Sequence, residues 1–144
     1  MGVTSGNSIT KGLALQGQHG LLSVGTDIVE IGRVRAMVER WGERFLHRIY
    51  TSQELAYCRG RAPHLAARFA AKEAVMKALG TGTRGVGWRE VEICKEPTGA
   101  PVVRLHGRAA KRAKALGLHH FAISISHSGE YAVAFVVATQ GEAV

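Results

Sequence analysis

Residues 68–80 read RFAAKEAVMKALG. Alanine, lysine, glutamate, methionine and leucine all favour helix, and Gly80 stands where a C-terminal cap belongs. Pro63 suits a first helical position, so the spacing predicts a helix over 63–79. Its winding puts Leu65, Phe69, Met76 and Leu79 on one stripe, with Val75 at the border, and that stripe is expected to face a core. Ala66, Ala70, Glu73 and Lys77 line the neighbouring strip, Glu73 and Lys77 forming an i,i+4 pair in the favourable order. Arg68 and Lys72 lie on the other flank. Lys72 falls inside the apolar stripe, so its ammonium must snorkel to water or meet an anion. Alone, the Glu73–Lys77 pair reads as a solvated salt bridge worth ~0.3–0.5 kcal/mol. The rest of the chain shifts that balance.

The 144 residues fit one domain, and a 46% hydrophobic content is enough to bury a real core. The apolar runs fall far short of the ~18 residues of a membrane span, and residues 1–20 hold no secretory apolar segment. Nineteen Lys and Arg against 11 Asp and Glu give a net charge of +8. That excess calls for an anionic partner: nucleic acid, a phosphorylated small molecule or an acidic protein. Cys58 and Cys94 are far apart and lack metal spacing, so they read as reduced thiols of a cytoplasmic protein. A nucleic-acid-binding module is the rival class. Few aromatics, scattered basic residues and the lack of an RNP-like or helix-turn-helix pattern count against it.

Residues 1–20, with five glycines, read as a flexible leader, and the single domain is expected over 21–144. Leu21 to Val29 reads as a strand. Asp27 breaks its pattern: it marks the strand's end, or caps the next helix, or is a metal ligand on a rigid strand. Gly32 to Trp41 reads as an amphipathic helix with Val34, Val38 and Trp41 toward the core. Arg33, Met37 and Arg40 form a separate face, suited either to solvent or to an acidic, partly apolar partner. Phe45, Leu46 and Ile49 suggest a short helical turn, and Thr51 with Glu54 forms a capping box opening a helix to about Arg59. The glycine-rich run at 81–87 lacks P-loop form and is a weak phosphate signal. Strands are expected at 88–95 and 101–105, a helix at 107–116, and a hairpin of 121–128 with 131–138. His127 reads as a strand-end histidine. Its neighbouring serines point to the opposite face and no nucleophile elbow accompanies them, which leaves a hydrolase reading little support. The fold class is α+β, an antiparallel sheet of four or five short strands packed on helices.

Three stretches now stand in order: GTDIVEIGRV at 25–34, RFAAKEAVMKALG at 68–80 and ISISHSGEYAVA at 123–134. Together they resemble the holo-acyl-carrier-protein synthases, the small class of 4′-phosphopantetheinyl transferases, and the resemblance spans about 21–138. It implies Mg²⁺-dependent transfer of 4′-phosphopantetheine from coenzyme A to a serine of an acyl carrier protein, releasing adenosine 3′,5′-bisphosphate. It also implies a homotrimer with active sites at subunit contacts. By resemblance, Asp27 and Glu73 are the metal-binding acids, Lys77 is the phosphate-binding lysine and His127 lies at the coenzyme A site. Glu73, Lys77 and His127 are then the catalytic residues, Arg68 and Lys72 join Lys77 and His127 on coenzyme A, and Arg33, Met37 and Arg40 meet the carrier protein. The residue types suit that chemistry. Mg²⁺ binds one or two carboxylates together with substrate oxygens, and a lysine holds phosphate as a point charge. The nucleophile is the carrier's serine, whose proton goes to Glu73 or, second, His127. A non-catalytic carrier-protein adaptor would need no metal, and the intact Asp27, Glu73 and Lys77 set argues against one.

Overall fold

The computed structural model describes residues 14–17 and 20–141. Strands β1 (Ala14–Gly17) and β2 (Gly20–Glu30) lead into helices α1 (Ile31–Trp41), α2 (Glu43–Ile49), α3 (Ser52–Cys58) and α4 (Ala62–Leu79). A 3-10 turn at Trp88–Glu90 precedes β3 (Val91–Lys95) and β4 (Pro101–Leu105). Helix α5 (Gly107–Leu116) and the hairpin β5 (His120–His127) and β6 (Tyr131–Thr139) complete the chain. The order β1-β2-β6-β5 makes a four-stranded antiparallel sheet, and β3 and β4 form a separate antiparallel pair. The fold is the expected α+β arrangement.

Local chemistry accounts for the boundaries. Thr51 and Glu54 exchange the capping-box hydrogen bonds that open α3. Pro63 sits in the first turn of α4, and Gly80 closes it at φ 73°, a left-handed conformation that only glycine adopts readily.

Helix α4 lies across one face of the four-stranded sheet, against β2 and β6. Far from showing only a stripe, it is buried almost all round. Leu65, Val75, Met76 and Leu79 are joined in the core by Ala66, Ala67, Ala70, Ala71, Ala74 and Ala78. The facing positions of β6 are also small: Ala132, Ala134 and Ala138 are buried around Val136. On β2, a Cβ at Gly25 would overlap the Ala74 carbonyl oxygen, so glycine sets how closely helix and strand approach. The buried Ser23 hydroxyl donates to the Ala78 carbonyl at 2.6 Å along the same seam.

Strand periodicity then decides which side chains meet the helix. Asp27 pairs with Ala134 and Val29 with Ala132, so Asp27 shares the helix-facing side with those buried alanines. The opposite side of the sheet is uncovered: Ile28 (63% exposed), Tyr131, Val133 and Phe135 all reach solvent in the single chain, beside exposed Thr26, Ser124 and Ser126.

Three expectations need correction. Residues 14–17, read as part of a flexible leader, form β1 and pair with β2, because backbone hydrogen bonds to a neighbouring strand do not depend on side-chain pattern. The remainder of that leader, apart from Gly20, lies outside the described residues. Trp88 to Glu90 forms a 3-10 turn instead of the start of β3. Trp41 is not a core residue: it is 43% exposed, with the Arg40 and Arg44 guanidinium groups 5.0 and 6.0 Å from its ring, while Ile31 takes the buried place beside Val34.

Candidate functional site

Asp27, Glu73 and Lys77 come together where β2 passes under the C-terminal half of α4. Lys77 reaches across to the strand, its Nζ 3.1 Å from Asp27 Oδ1 and donating to the Thr26 carbonyl at 2.8 Å. Among the described residues its ion-pair partner is therefore Asp27, and not the i,i+4 neighbour Glu73. Desolvation raises the Asp27 pKa above the usual carboxylate value, and the hydrogen bond and charge of Lys77 only partly offset it. Glu73 is raised as well, first by desolvation and then by the negative charge of Asp27, against Lys77 and Arg33. Both carboxylates are half-buried and lose hydration, Glu73 also feels the charge of Asp27, and Lys77 and Arg33 offset this only in part. An added cation would relieve both.

Among the described residues no group of three or more His, Cys, Asp or Glu side chains gathers to cage a metal. Two carboxylates suit a hard ion that takes the rest of its coordination from water and substrate oxygens, as Mg²⁺ does. A closed structural zinc site would demand four protein ligands.

Glu73 and Lys77 open onto a cavity of about 220 Å³ whose other walls are Met76, Thr81, Gly82, Thr83 and Arg84. The glycine-rich run, a weak phosphate signal in the sequence, is therefore a wall of the site. Its position immediately after the Glu73–Lys77 strip was the available signal. Arg33 also belongs here in part. Sequence places it on the outer face of α1 with Met37 and Arg40, yet its charge bears on both Asp27 and Glu73.

His127 lies elsewhere on the same chain. Its ring meets His64 edge-on at 5.7 Å between centroids, and His64 meets Tyr57 in the same way. Burial holds the His64 pKa below the ordinary imidazole value, and nearby Arg61, His127, Arg68 and Lys95 push it the same way. Arg68 is 6% exposed, with its guanidinium carbon 4.0 Å from the centre of the Tyr57 ring and its Nε without a hydrogen-bond partner among the described residues. Lys95 donates to the Tyr57 hydroxyl at 3.0 Å. Arg68, Lys95 and Arg104 line a second cavity of about 350 Å³. This cationic patch is apart from the carboxylates, so the single chain divides the expected site residues into two groups.

Lys72 belongs to neither group, and its assignment to coenzyme A does not hold. It is fully buried, with Nζ 2.7 Å from Glu54 Oε1 and donating to the carbonyls of Trp88 and Val91 at 3.0 and 2.6 Å. Three ammonium hydrogens meet three acceptors, which leaves none for a ligand. Glu54, 1% exposed, also accepts from the backbone N–H groups of Thr51 and Ile93, both at 2.8 Å. The anion demanded by a lysine in an apolar stripe is a glutamate of α3.

Arg33, Met37 and Arg40 all face solvent on α1. Beside them, Met37, Trp41, Phe45, Ile49, Phe69 and Trp88 line an open groove of about 520 Å³, flanked by Arg44 and Arg48. Phe69 leaves the core stripe for this groove, stacking on Trp88 at 4.8 Å.

Comparison with known proteins bears on the fold and the family. Residues 23–136 match the family model described as the 4′-phosphopantetheinyl transferase superfamily. A Herpetosiphon aurantiacus protein named holo-[acyl-carrier-protein] synthase is 48% identical over 124 residues, covering 81% of this chain and 98% of its own. One of the same name from Dehalococcoides mccartyi is 51% identical over 118 residues, covering 82% and 98%. The Helicobacter pylori holo-[acyl-carrier-protein] synthase, solved in complex with coenzyme A, superposes with a TM-score of 0.74 at 32% identity, covering 81% of this chain and 99% of that one. The Neisseria meningitidis synthase gives the same TM-score at 36% identity, covering 83% and 97%.

Proposed function

Since the chain belongs to the 4′-phosphopantetheinyl transferase superfamily, we propose that it moves 4′-phosphopantetheine from coenzyme A to a serine of an apo acyl carrier protein, with Mg²⁺ as cofactor. The observation that carries this reading is the convergence of the Asp27 and Glu73 carboxylates with Lys77, beside a cavity that Glu73 and Lys77 line. Bound to the two carboxylates, Mg²⁺ would supply charge stabilisation for the diphosphate. The carrier's serine oxygen bonds to the β-phosphorus of coenzyme A as the bridging P–O bond to the α-phosphate breaks, and adenosine 3′,5′-bisphosphate departs. Lys77, one turn beyond Glu73, is placed to hold the leaving phosphate. The serine proton goes to Glu73, the carboxylate in the cavity wall. His127 is the second candidate for that proton and belongs with Arg68 at the nucleotide end of coenzyme A.

The division of these residues within one subunit supports a homotrimer whose sites span subunit contacts. The uncovered sheet face that carries Ile28, Val133 and Phe135 is the kind of surface that a neighbouring subunit covers. Assembly would bring the partner's His127 to the carboxylate pair. The same reading puts the protein in the cytoplasm, where Cys58 and Cys94 stay reduced. No helix among the described residues is long and apolar enough to cross a membrane.

The deciding experiment is incubation with coenzyme A, Mg²⁺ and an apo carrier protein, followed by intact mass. A gain of one phosphopantetheine group on the carrier is expected, and an unmodified carrier would end the reading. The docking face has its own test. Arg40→Glu is expected to raise KM for the carrier several-fold and leave that for coenzyme A unchanged, since opposite charges steer encounter. Arg33→Glu should also lower kcat, because its charge reaches Asp27 and Glu73. Steady-state kinetics with each substrate varied in turn, at two salt concentrations, separates these effects. Equal weakening of both substrates by Arg40→Glu would point away from docking.

A further inference from the structure

Two cations border the cavity at Glu73, and they are in different states. Lys77 is engaged, with one hydrogen on Asp27 and another on the Thr26 carbonyl. Arg84, on the opposite loop, is exposed and lines the same cavity, and among the described residues it has no hydrogen-bond or ion-pair partner. A guanidinium offers five N–H donors in a planar fork that fits phosphate oxygens two at a time. Its only acidic neighbour in the cavity wall is Glu73, which faces Lys77 as well. We propose that Arg84 binds the diphosphate of coenzyme A, and that it is the cation available to that group before Lys77 is released from Asp27. This rests on coenzyme A being the substrate and adds a phosphate-binding residue on the glycine-rich loop to the transfer described above. The adenosine 3′-phosphate is left to the separate patch of Arg68 and Lys95.

The test is calorimetric binding of coenzyme A and of dephospho-coenzyme A, which keeps the diphosphate and lacks the 3′-phosphate, in chelator and without carrier protein. Arg84→Ala is expected to weaken both ligands by the same factor, about tenfold. Arg84→Lys should restore part of that loss, because a point charge replaces a fork. Exposure on a loop makes both variants safe for folding, which circular dichroism checks. Unchanged affinity for both ligands would overturn the proposal, and so would a loss confined to coenzyme A, which would move Arg84 to the 3′-phosphate. Wild-type protein that binds coenzyme A yet leaves the carrier unmodified refutes the transfer and leaves Arg84 to be judged by the binding data. Wild-type protein that binds neither ligand refutes both.

Discussion

Asp27→Ala and Glu73→Ala are each expected to cut turnover by ~10²-fold or more, the scale of losing a group that stabilises charge in the transition state. The two variants should fail through a shared cause. Adding Mg²⁺ to coenzyme A-saturated wild-type protein should raise its melting temperature, because an ion that binds only the folded state stabilises it. Neither variant should show that rise. Glu73→Gln gives a further check through pH. Burial and the charge of Asp27 raise the Glu73 pKa, so the folded chain holds the proton more tightly than the unfolded chain. Ionised Glu73 is therefore a cost to folding, which sets in as pH rises through the glutamate range and is absent below it. Without metal, Glu73→Gln should melt higher than wild type at neutral pH and equal to it below the ordinary glutamate value. An active, Mg²⁺-responsive Glu73→Gln protein would remove this carboxylate from the chemistry.

What could be read from the residues was what local chemistry controls. The bounds of α4 follow from Pro63 and Gly80, and α3 starts at the Thr51–Glu54 capping box. The parity of β2 places Asp27 on the side that faces α4, and helical spacing places Glu73 and Lys77 on one strip of it. What escaped depends on contacts distant in the chain. No helical period shows that Lys77 prefers Asp27 to Glu73, because that choice depends on how closely Gly25 lets α4 approach β2. The exposure of Trp41 is equally non-local: an aromatic on the apolar side of α1 was displaced from the core by Ile31 and met two arginines at the surface. The glycine-rich loop carries little pattern of its own, and its part in the site follows from where α4 ends.

Lys72 is expected to govern stability and leave the affinity for coenzyme A untouched. Its ammonium and the Glu54 carboxylate are both withdrawn from water, 2.7 Å apart, and together they tie α3, α4 and the entry to β3. Lys72→Met would fill the space with an apolar chain and strand a buried carboxylate that keeps only the N–H groups of Thr51 and Ile93. Removing one member of such a pair typically costs ~3–5 kcal/mol, because the remaining charge is left without its partner. Chemical denaturation should show that loss. Replacing both members, as Lys72→Met with Glu54→Gln, removes the stranded charge and should recover part of it, since a glutamine oxygen can accept from only one of the Thr51 and Ile93 N–H groups and its NH2 faces the other. Coenzyme A binding by the folded fraction separates structure from ligand contact. All three ammonium hydrogens have acceptors inside the protein, so affinity per folded molecule should match wild type in the double variant. A Lys72→Met protein of wild-type stability that binds coenzyme A poorly would reverse the assignment and return Lys72 to the ligand.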